Sequence, residues 1–324
     1  MSMSRATRSY LLLLLCSVIW GFAFVAQRLG AEHLGAYSFN AARGFLGAAA
    51  LLPLVWFLDR RARISPFEAR AAWARVARPG VFIGLMFFGG QTLQQLGVEQ
   101  TTAGNAAFVT GLYMVLVPVA GRFLGQHTGV FTWLGIALAV PGLFLLTWTG
   151  TGIGPGDLLV LVGTLFWTFH ILGVGRVAAH VDPIRLSVAQ FLVMATLSAV
   201  VAPFAEDAPF AGLLPALGAV LFAGLLSTGV GFTLQVVGQR YARASVAAMI
   251  MSLEAMWGAV GGALFLGERL SLQGYFGAAM MMAGILLAQV PTRADRAREA
   301  ERAASGQPTV VPVPEPPSTA LRED

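Results

Sequence analysis

Ten apolar segments of about 20 residues each dominate this sequence of 324 residues. A helix that crosses the hydrocarbon core of a bilayer needs roughly that length, and lipid cannot satisfy free backbone groups, so each segment has to be helical. The runs are too long and continuous for barrel strands, which alternate over about ten residues. The predicted helices 1 to 10 are 9–27, 35–57, 79–98, 103–124, 129–147, 157–175, 183–203, 213–238, 244–266 and 272–290.

Charged residues are scarce and unevenly placed. They make up 11% of the chain, against about 25% in soluble domains, which favours a lipid-facing exterior. All 21 basic residues are arginine. With a cytoplasmic N-terminus, 18 arginines fall on cytoplasmic segments, two fall outside and one, Arg43, lies inside helix 2. Because basic loops stay in the cytoplasm, we expect a multi-pass protein of the bacterial inner membrane with both termini in the cytoplasm.

The same features argue against several other classes of protein. A net charge of +5 is compatible with nucleic-acid binding, but the arginines separate apolar spans, so no nucleic-acid partner is predicted. The single cysteine, Cys16, excludes an internal disulfide framework and a cysteine-rich metal site. The sequence has no phosphate-binding Gly-x-x-x-x-Gly-Lys motif, which argues against direct use of ATP. Neither a metal nor a cofactor is expected.

Two halves of the chain resemble each other. Matching positions keep a nearly constant separation of 141 to 147 residues. The matched pairs include Trp20 with Trp167, Arg43 with Gln190, Gln94 with Gln235, Tyr113 with Glu254, Gly135 with Gly277 and Gly142 with Gly284. We therefore divide the chain into a first repeat at 1–150, a second repeat at 151–290 and a charged, proline-rich tail at 291–324, whose composition predicts disorder.

Each repeat holds five predicted helices, and this odd number fixes the relation between the repeats. The second repeat must enter the membrane from the side opposite to the first, which makes an inverted-topology repeat. The predicted fold class is an all-α polytopic membrane protein with ten transmembrane helices in two inverted five-helix repeats. Two such halves can exchange conformations, so that a site between them opens to one side and then to the other. The alternative is a duplication without transport.

Several short sequence segments stand at characteristic places, three in the first repeat and two in the second. They are WG at 20–21, AARGFL at 41–46, TAGNAAF at 102–108, SLEA at 252–255 and LGERLS at 266–271. Together with ten helices, this set resembles the EamA-type proteins of the drug/metabolite transporter superfamily over about residues 9–290. The chain departs from the family at Ala255, where proline is common, and at 124–127, where LGQH stands in the place of LGER. The resemblance implies export, or less often uptake, of amino acids, related metabolites or toxic compounds.

Arg43 in helix 2 and Glu254 in helix 9 are the clearest candidates for a functional site. An ionisable group at the centre of the hydrocarbon costs about 2.5–3.5 kcal/mol, so each side chain needs a partner or an aqueous cavity. Arg43 would hold an anionic group such as a substrate carboxylate. Glu254 would bind an amine or carry a proton. The alternative for both is a buried pair or hydrogen-bond network that holds helices together.

Other polar and aromatic residues within the apolar helices complete the predicted substrate site. Gln91 and Gln94 share one face of helix 3, and Gln235 in helix 8 is the repeat partner of Gln94. Amides in a membrane seek hydrogen-bond partners, so these residues either line a polar cavity or join helices. The remaining candidates are Trp20, Asn105, Tyr113, Trp167, His170 and Gln190.

The sequence therefore favours a secondary transporter that moves small metabolites across the cytoplasmic membrane by alternating access, most simply by export, with protons as candidate coupling ions. An intramembrane enzyme or a membrane scaffold without transport activity is the alternative, although no Gly-x-Ser-x-Gly or His-Glu-x-x-His motif occurs. The expected partners are a small-molecule substrate and the lipid bilayer. The glycine pairs Gly80/Gly84 and Gly258/Gly262 permit close helix contacts, either within the fold or in a homodimer.

Overall fold

The computed structural model describes residues 4–101, 103–147, 154–265 and 271–290. Every regular element within these ranges is a helix. The helices are α1 (Arg5–Ala31), α2 (Ala36–Arg61), α3 (Pro66–Val98), α4 (Ala103–Gly111 and Tyr113–Phe123), α5 (Val130–Thr147), α6 (Pro155–Val177), α7 (Pro183–Ala205), α8 (Leu217–Gly238), α9 (Ala244–Met251 and Glu254–Phe265) and α10 (Leu272–Ala288).

The predicted all-α membrane fold is confirmed. Eight helices of the described part are long and apolar enough to cross a membrane, and α5 and α10 are shorter apolar helices. These ten helices follow the predicted order. The predicted tail at 291–324 and the first five residues of the LGERLS segment, 266–270, lie outside the described residues.

One predicted boundary is wrong, at the start of α3. The helix begins at Pro66 rather than at 79, so an arginine-rich stretch expected to be a loop is helical. Ser65 and Glu68 form a capping box, in which the Ser65 hydroxyl accepts the Glu68 N–H and the Glu68 carboxylate accepts the Ser65 N–H. Proline at the first helical position reinforces this start. The signal was present in the sequence, but it stands ahead of the apolar run.

The two repeats interlock rather than pack side by side. α3 of the first repeat packs against α6 and α7 of the second, and the equivalent helix α8 packs against α1 and α2 of the first. α2 packs against its own equivalent, α7. This exchange of contacts is the pattern expected of two inverted halves related by a pseudo-two-fold axis in the membrane plane.

α5 and α10, the last helices of the two repeats, form the closest pair. Their backbones approach at two crossing points, where Gly135 meets Gly284 and Gly142 meets Gly277. A Cβ atom added at any of these four glycines would collide with the backbone of the facing helix. Small residues permit such close approach of membrane helices. Because the pseudo-symmetry exchanges the two crossing points, the contact is itself two-fold symmetric.

Three other glycines that we identified as close-contact positions, Gly80, Gly84 and Gly258, pack against other helices of the same chain. A Cβ at Gly80 would lie 2.6 Å from the side chain of Ala189 in α7, and a Cβ at Gly84 would lie 2.6 Å from that of Val193. Gly258 in α9 faces α1. These positions therefore serve helix packing within one molecule, and a homodimer stays a prediction.

The fourth helix of each repeat is interrupted, which the sequence analysis did not predict. α4 breaks at Leu112, and α9 breaks at Ser252 and Leu253. The backbone tightens at both places: the Leu112 N–H donates to the carbonyl of Val109 at 3.3 Å, and the Leu253 N–H to that of Ile250 at 3.2 Å. Leu112 and Leu253 are 141 residues apart, so the two breaks are equivalent. Interrupted helices in matching positions are typical of binding sites in transporters built from inverted repeats.

α8 departs from regular α-helical geometry along its middle. Residues Phe222–Phe232 form a π-helix, a rare geometry that often occurs at functional sites. The segment is rich in glycine and packs against α2, where a Cβ at Gly47 would lie 2.8 Å from the methyl group of Thr228. This wider turn brings two hydroxyl side chains, Ser227 and Thr228, to α2.

Candidate functional site

A cavity of about 30 Å³ lies between the two repeats. Both repeats supply its walls, through α1, α2, α3 and α4 from the first and α6, α8 and α9 from the second. The lining residues are Trp20, Ala23, Phe24, Gln27, Arg43, Gln91, Gln94, Thr110, Tyr113, Trp167, Ile171, Ser227, Phe232, Gln235 and Glu254. Eight of the eleven residues predicted for the substrate site are among them.

Aromatic rings form one side of this cavity. Trp20, Phe24 and Gln27 are spaced by four and three residues, so they share one face of α1. The Trp20 indole N–H donates to the carbonyl of Ser227 at 3.3 Å. The ring of Phe232 lies 4.4 Å from that of Trp20, measured between centroids, and stacks on Trp167 at 5.6 Å. The rings thus connect the two repeats through an apolar surface.

Arg43 is the most deeply buried charged side chain in this cavity wall, with 1% of its surface exposed. Its Nε donates to the hydroxyl of Thr228 at 3.0 Å and its Nη2 to the hydroxyl of Ser227 at 2.9 Å. Nη1 is buried without a hydrogen-bond partner in the described part of the chain. The ion pairs found among the described residues both involve Arg185, not Arg43. The guanidinium is therefore held by neutral groups and retains a donor and a positive charge.

Glu254 lies on the other repeat and is 4% exposed. It is the first residue after the break in α9, and Tyr113 is the first residue after the break in α4. The Tyr113 hydroxyl donates to Oε1 of Glu254 at 2.9 Å. The two residues are repeat partners, so this hydrogen bond crosses the pseudo-two-fold axis. The interruptions of α4 and α9 therefore meet at a polar contact in the cavity wall.

A chain of side-chain amides lines the wall between α1 and α3. Oε1 of Gln27 accepts hydrogen bonds from Nε2 of Gln91 at 3.3 Å and of Gln94 at 3.1 Å. Oε1 of Gln94 accepts the Trp167 indole N–H at 2.8 Å. Gln235, the repeat partner of Gln94, is fully buried, and neither polar atom of its side chain has a partner in the described residues. Hydrogen bonds therefore fix the side chains of Gln27, Gln91 and Gln94, whereas the amide of Gln235 makes no such bond among the described residues.

The cavity wall repeats itself across the axis. Five pairs of residues at equivalent positions in the two repeats all line it. These pairs are Trp20 with Trp167, Phe24 with Ile171, Gln91 with Phe232, Gln94 with Gln235 and Tyr113 with Glu254. The cavity therefore lies on the pseudo-two-fold axis, where inverted-repeat transporters place their substrate sites.

Three predicted site residues do not line the cavity. His170 and Gln190 are fully buried behind it and share a hydrogen bond of 2.7 Å between Nε2 and Oε1. The His170 ring packs against Phe87 and Trp167, so this pair supports the aromatic wall. Asn105 is buried in the first segment of α4.

The sequence analysis overlooked some lining and supporting residues, notably Gln27, Ser227, Thr228 and Phe232. Gln27 could have been found, because it continues the face of helix 1 that carries Trp20. The two hydroxyl residues gave no clear signal, since serine and threonine are common in membrane helices, where they also bond their own helix backbone. Phe232 is one of many aromatic residues in apolar segments, and only the fold assigns it to the cavity.

Ten helices in two inverted, interlocked repeats, around a cavity lined by both aromatic and polar side chains, define a multi-pass membrane protein of the kind that carries solutes. A family model matches the chain twice, at residues 7–148 and 154–289, and its description is "EamA-like transporter family". The chain belongs to this family, as its sequence segments indicated. The coarse function that follows is that of a membrane transporter, and the names in the family indicate transport rather than catalysis.

Named relatives agree with this assignment. An uncharacterized transporter of Archaeoglobus fulgidus is 28% identical over 85% of this chain and 83% of its own length. The uncharacterized transporter YoaV of Bacillus subtilis is 25% identical over 84% and 93%. The uncharacterized inner membrane transporter YedA of Escherichia coli is 28% identical over 47% of this chain and 48% of its own. A solved crystal structure with 17% identity has a TM-score of 0.70 over 91% of this chain and 99% of that one, which shows the fold alone.

Proposed function

We propose that this protein is a secondary transporter that carries small metabolites bearing a carboxylate, such as amino acids or related compounds, by alternating access. The observation that carries the proposal is Arg43. Among the described residues, this buried guanidinium in the cavity wall has neutral hydroxyl partners and keeps one nitrogen unpaired. A carboxylate is the anion that matches its planar donor geometry.

Glu254 supplies the complementary group in this proposal. It comes from the other repeat and lines the same cavity as Arg43. In its ionised form it attracts the ammonium group of a zwitterionic substrate, and in its protonated form it releases that attraction. A proton taken from one side and delivered to the other would then couple substrate movement to the proton gradient. The aromatic wall of Trp20, Trp167 and Phe232 offers an apolar surface for the rest of the substrate.

The size of the cavity supports alternating access. Sites for small molecules usually enclose about 300–1,000 Å³, and this cavity encloses about 30 Å³. The conformation is therefore contracted, and a substrate enters only when helices of the two repeats separate. The equivalent breaks in α4 and α9 allow the halves of these helices to move independently, and both breaks adjoin cavity residues.

The orientation and direction of transport are further parts of the proposal. The distribution of arginine supports cytoplasmic termini in the inner membrane, where the named relative from Escherichia coli is also located. Substrates would load from the cytoplasm and leave on the opposite side, which amounts to export.

Counterflow in proteoliposomes tests this function. Vesicles loaded with one unlabelled amino acid, amine or nucleoside at a time are diluted into a trace of the same labelled compound. We expect saturable accumulation for compounds that carry a carboxylate. Arg43→Ala should lower the rate at least tenfold, because one charge-assisted interaction is worth about 1.5–3 kcal/mol. Glu254→Gln should remove the dependence on pH. Arg176→Ala, at an exposed position on α6, is the matched control.

Three results would contradict parts of the proposal. Folded protein that shows no counterflow across the panel would favour a scaffold or a different substrate class. Recovery of a chemically altered compound, detected by mass spectrometry of the vesicle contents, would identify an intramembrane enzyme. If Arg43→Ala matched wild type for every carboxylate, the proposed anion site would be wrong even if transport occurred.

A further inference from the structure

α2 and α7 are joined at both of their ends, one at each side of the membrane. Near the end of α2, Asp59 accepts hydrogen bonds of 2.5 Å at both carboxylate oxygens from Nη2 of Arg185, at the start of α7. Near the start of α2, Glu206 at the end of α7 accepts the backbone N–H groups of Tyr37 at 2.7 Å and Ser38 at 3.1 Å, and the Ser38 hydroxyl. We call these contacts the Asp59 latch and the Glu206 latch, and we name the two membrane faces after them.

The two latches occupy equivalent positions in the two repeats. At the separation of 147 residues, Asp59 corresponds to Glu206 and Ser38 corresponds to Arg185. In each latch an acidic residue at the end of one helix contacts the start of the other helix. The contacted residue is Arg185 in the Asp59 latch and its equivalent, Ser38, in the Glu206 latch. Contacts related by the pseudo-two-fold axis exchange roles when the two repeats exchange conformations. One latch is thus placed to open while the other stays closed.

The latches differ in what they do for the helix they hold. α7 caps its own N-terminus, since Oδ1 of Asp182 accepts the N–H groups of Ile184 at 3.0 Å and Arg185 at 2.8 Å. The equivalent cap position of α2 is Gly35, which has no side chain to do this. The carboxylate of Glu206 bonds the two corresponding amides instead, and a Cβ at Gly35 would collide with it. The N-terminus of α2 therefore has no side-chain cap from its own cap residue and is capped by Glu206 of the second repeat instead.

Burial strengthens both contacts. The Arg185 side chain is 4% exposed and the Asp59 side chain 19%, while Ser38 is fully buried. Hydrogen bonds to ionised groups are roughly twice as strong as neutral ones, and shielding from water reduces their screening by salt. An open pocket of about 420 Å³ on the Asp59 face is lined by both members of the Asp59 latch. This pocket therefore extends from the surface of the Asp59 face to the latch.

We infer that the two latches are alternating locks on the cavity, and that each transport cycle opens the Asp59 latch and the Glu206 latch in turn. This inference rests on the proposed transport function. The latches themselves are contacts within one chain, so their effect on access to the cavity can be measured without any substrate.

Accessibility of a cysteine in the cavity tests the inference. In a Cys16→Ala background, Thr110→Cys places a thiol in the cavity wall, and a membrane-impermeant maleimide is applied separately from each face of oriented vesicles. Asp59→Ala should raise the labelling rate about tenfold from the Asp59 face only. Glu206→Ala should do so from the Glu206 face only. A tenfold change corresponds to about 1.4 kcal/mol in the balance between closed and open states.

Matched controls separate the latches from general effects of charge and folding. Arg176→Ala on the Asp59 face and Asp207→Ala on the Glu206 face each remove an exposed charge and should leave labelling unchanged. Asp59→Glu, which keeps a carboxylate for Arg185, should keep labelling slow.

The Glu206 latch needs its own control, because Glu206→Ala also removes a helix cap. Combining it with Gly35→Asp gives α2 a local cap like that of α7, without the bond to α7. We expect this double variant to recover folded yield while its labelling from the Glu206 face stays fast. Slow labelling in the recapped protein would mean that the contact is only a helix cap.

The outcomes separate this inference from the proposed function. Folded latch variants that label at the wild-type rate, or that label faster from both faces alike, would overturn the alternating locks. A wild-type protein that exchanges no substrate but shows face-selective labelling would count against the proposed substrate class and leave the latches standing.

Discussion

The cavity and the α5–α10 contact both lie where equivalent residues of the two repeats meet, but the residues at these two places keep the pseudo-symmetry to different degrees. In the α5–α10 pair the repeat partners are identical, glycine facing glycine at both crossing points. In the cavity three of the five lining pairs have diverged, so that Gln91 corresponds to Phe232 and Tyr113 to Glu254, while Trp20 with Trp167 and Gln94 with Gln235 are identical. We attribute the difference to what each region binds: α5 and α10 bind each other, whereas the cavity binds a substrate.

Two helices of the same chain present the same shape to each other, so a symmetric contact satisfies both. A substrate with an acidic end and a basic end has no two-fold symmetry, and a symmetric site cannot distinguish its ends. Arg43 illustrates this, since its repeat partner is the neutral Gln190, which lies behind the cavity. Symmetry is retained where shape alone matters and is lost where charge matters.

The largest effect is expected from breaking the symmetric contact. In Gly277→Ala the new Cβ would press on the backbone of α5, 2.6 Å from the Leu146 nitrogen, and backbone atoms cannot rotate away. We expect a loss of about 2–3 kcal/mol in the free energy of unfolding, measured by thermal unfolding in detergent. Gly218→Ala is the control, because its Cβ meets nothing within 4 Å and alanine favours helix by up to about 1 kcal/mol. Equal effects at both positions would contradict the symmetric contact.

A smaller effect should follow from making the cavity more symmetric. Arg43→Gln gives the first repeat the residue that the second repeat has at the equivalent position. Glutamine can still bond the hydroxyl groups of Ser227 and Thr228, so the fold should persist. We expect the preference for an amino acid over its carboxamide, measured as the ratio of counterflow rates, to fall at least tenfold. An unchanged ratio would show that Arg43 only joins α2 to α8.

The hydrogen bond across the axis should contribute less. Tyr113→Phe removes one hydrogen bond to Glu254, for which we expect about 1 kcal/mol. A double-mutant cycle with Glu254→Leu, which removes the acceptor, isolates the interaction, with unfolding in detergent as the measurement. If the two substitutions were additive within about 0.3 kcal/mol, the contact would not couple the breaks in α4 and α9.

Sequence patterns predicted the ten helices and much of the cavity wall for one physical reason. Polar residues such as Arg43 and Glu254 are costly in lipid, so they are conspicuous in apolar segments and have to be buried together. The breaks in α4 and α9 were missed, because Leu112 and Leu253 are apolar residues inside apolar runs and only tertiary packing bends the backbone there. The latches were missed for a related reason, since Asp59 and Glu206 lie at helix ends, where charges are expected to be solvated.

The smallest effect is expected on the pH dependence of stability and concerns Glu99, on the Glu206 face. Burial of part of the side chain, and then the charge of Glu206, raise the pKa of Glu99 above its ordinary value of 4.5. A raised pKa favours folding below pH 4.5, and this contribution is lost as the pH rises through the folded-state value. Glu99→Gln should therefore match wild type in unfolding midpoint at pH 4 and exceed it slightly at pH 7, whereas Glu32→Gln, at an exposed position on the same face, should not. A constant difference at both pH values would mean that folding does not raise the pKa of Glu99. The repeat partner of Glu99 is Arg240, so a confirmed effect would extend the loss of symmetry from the cavity to the membrane surface.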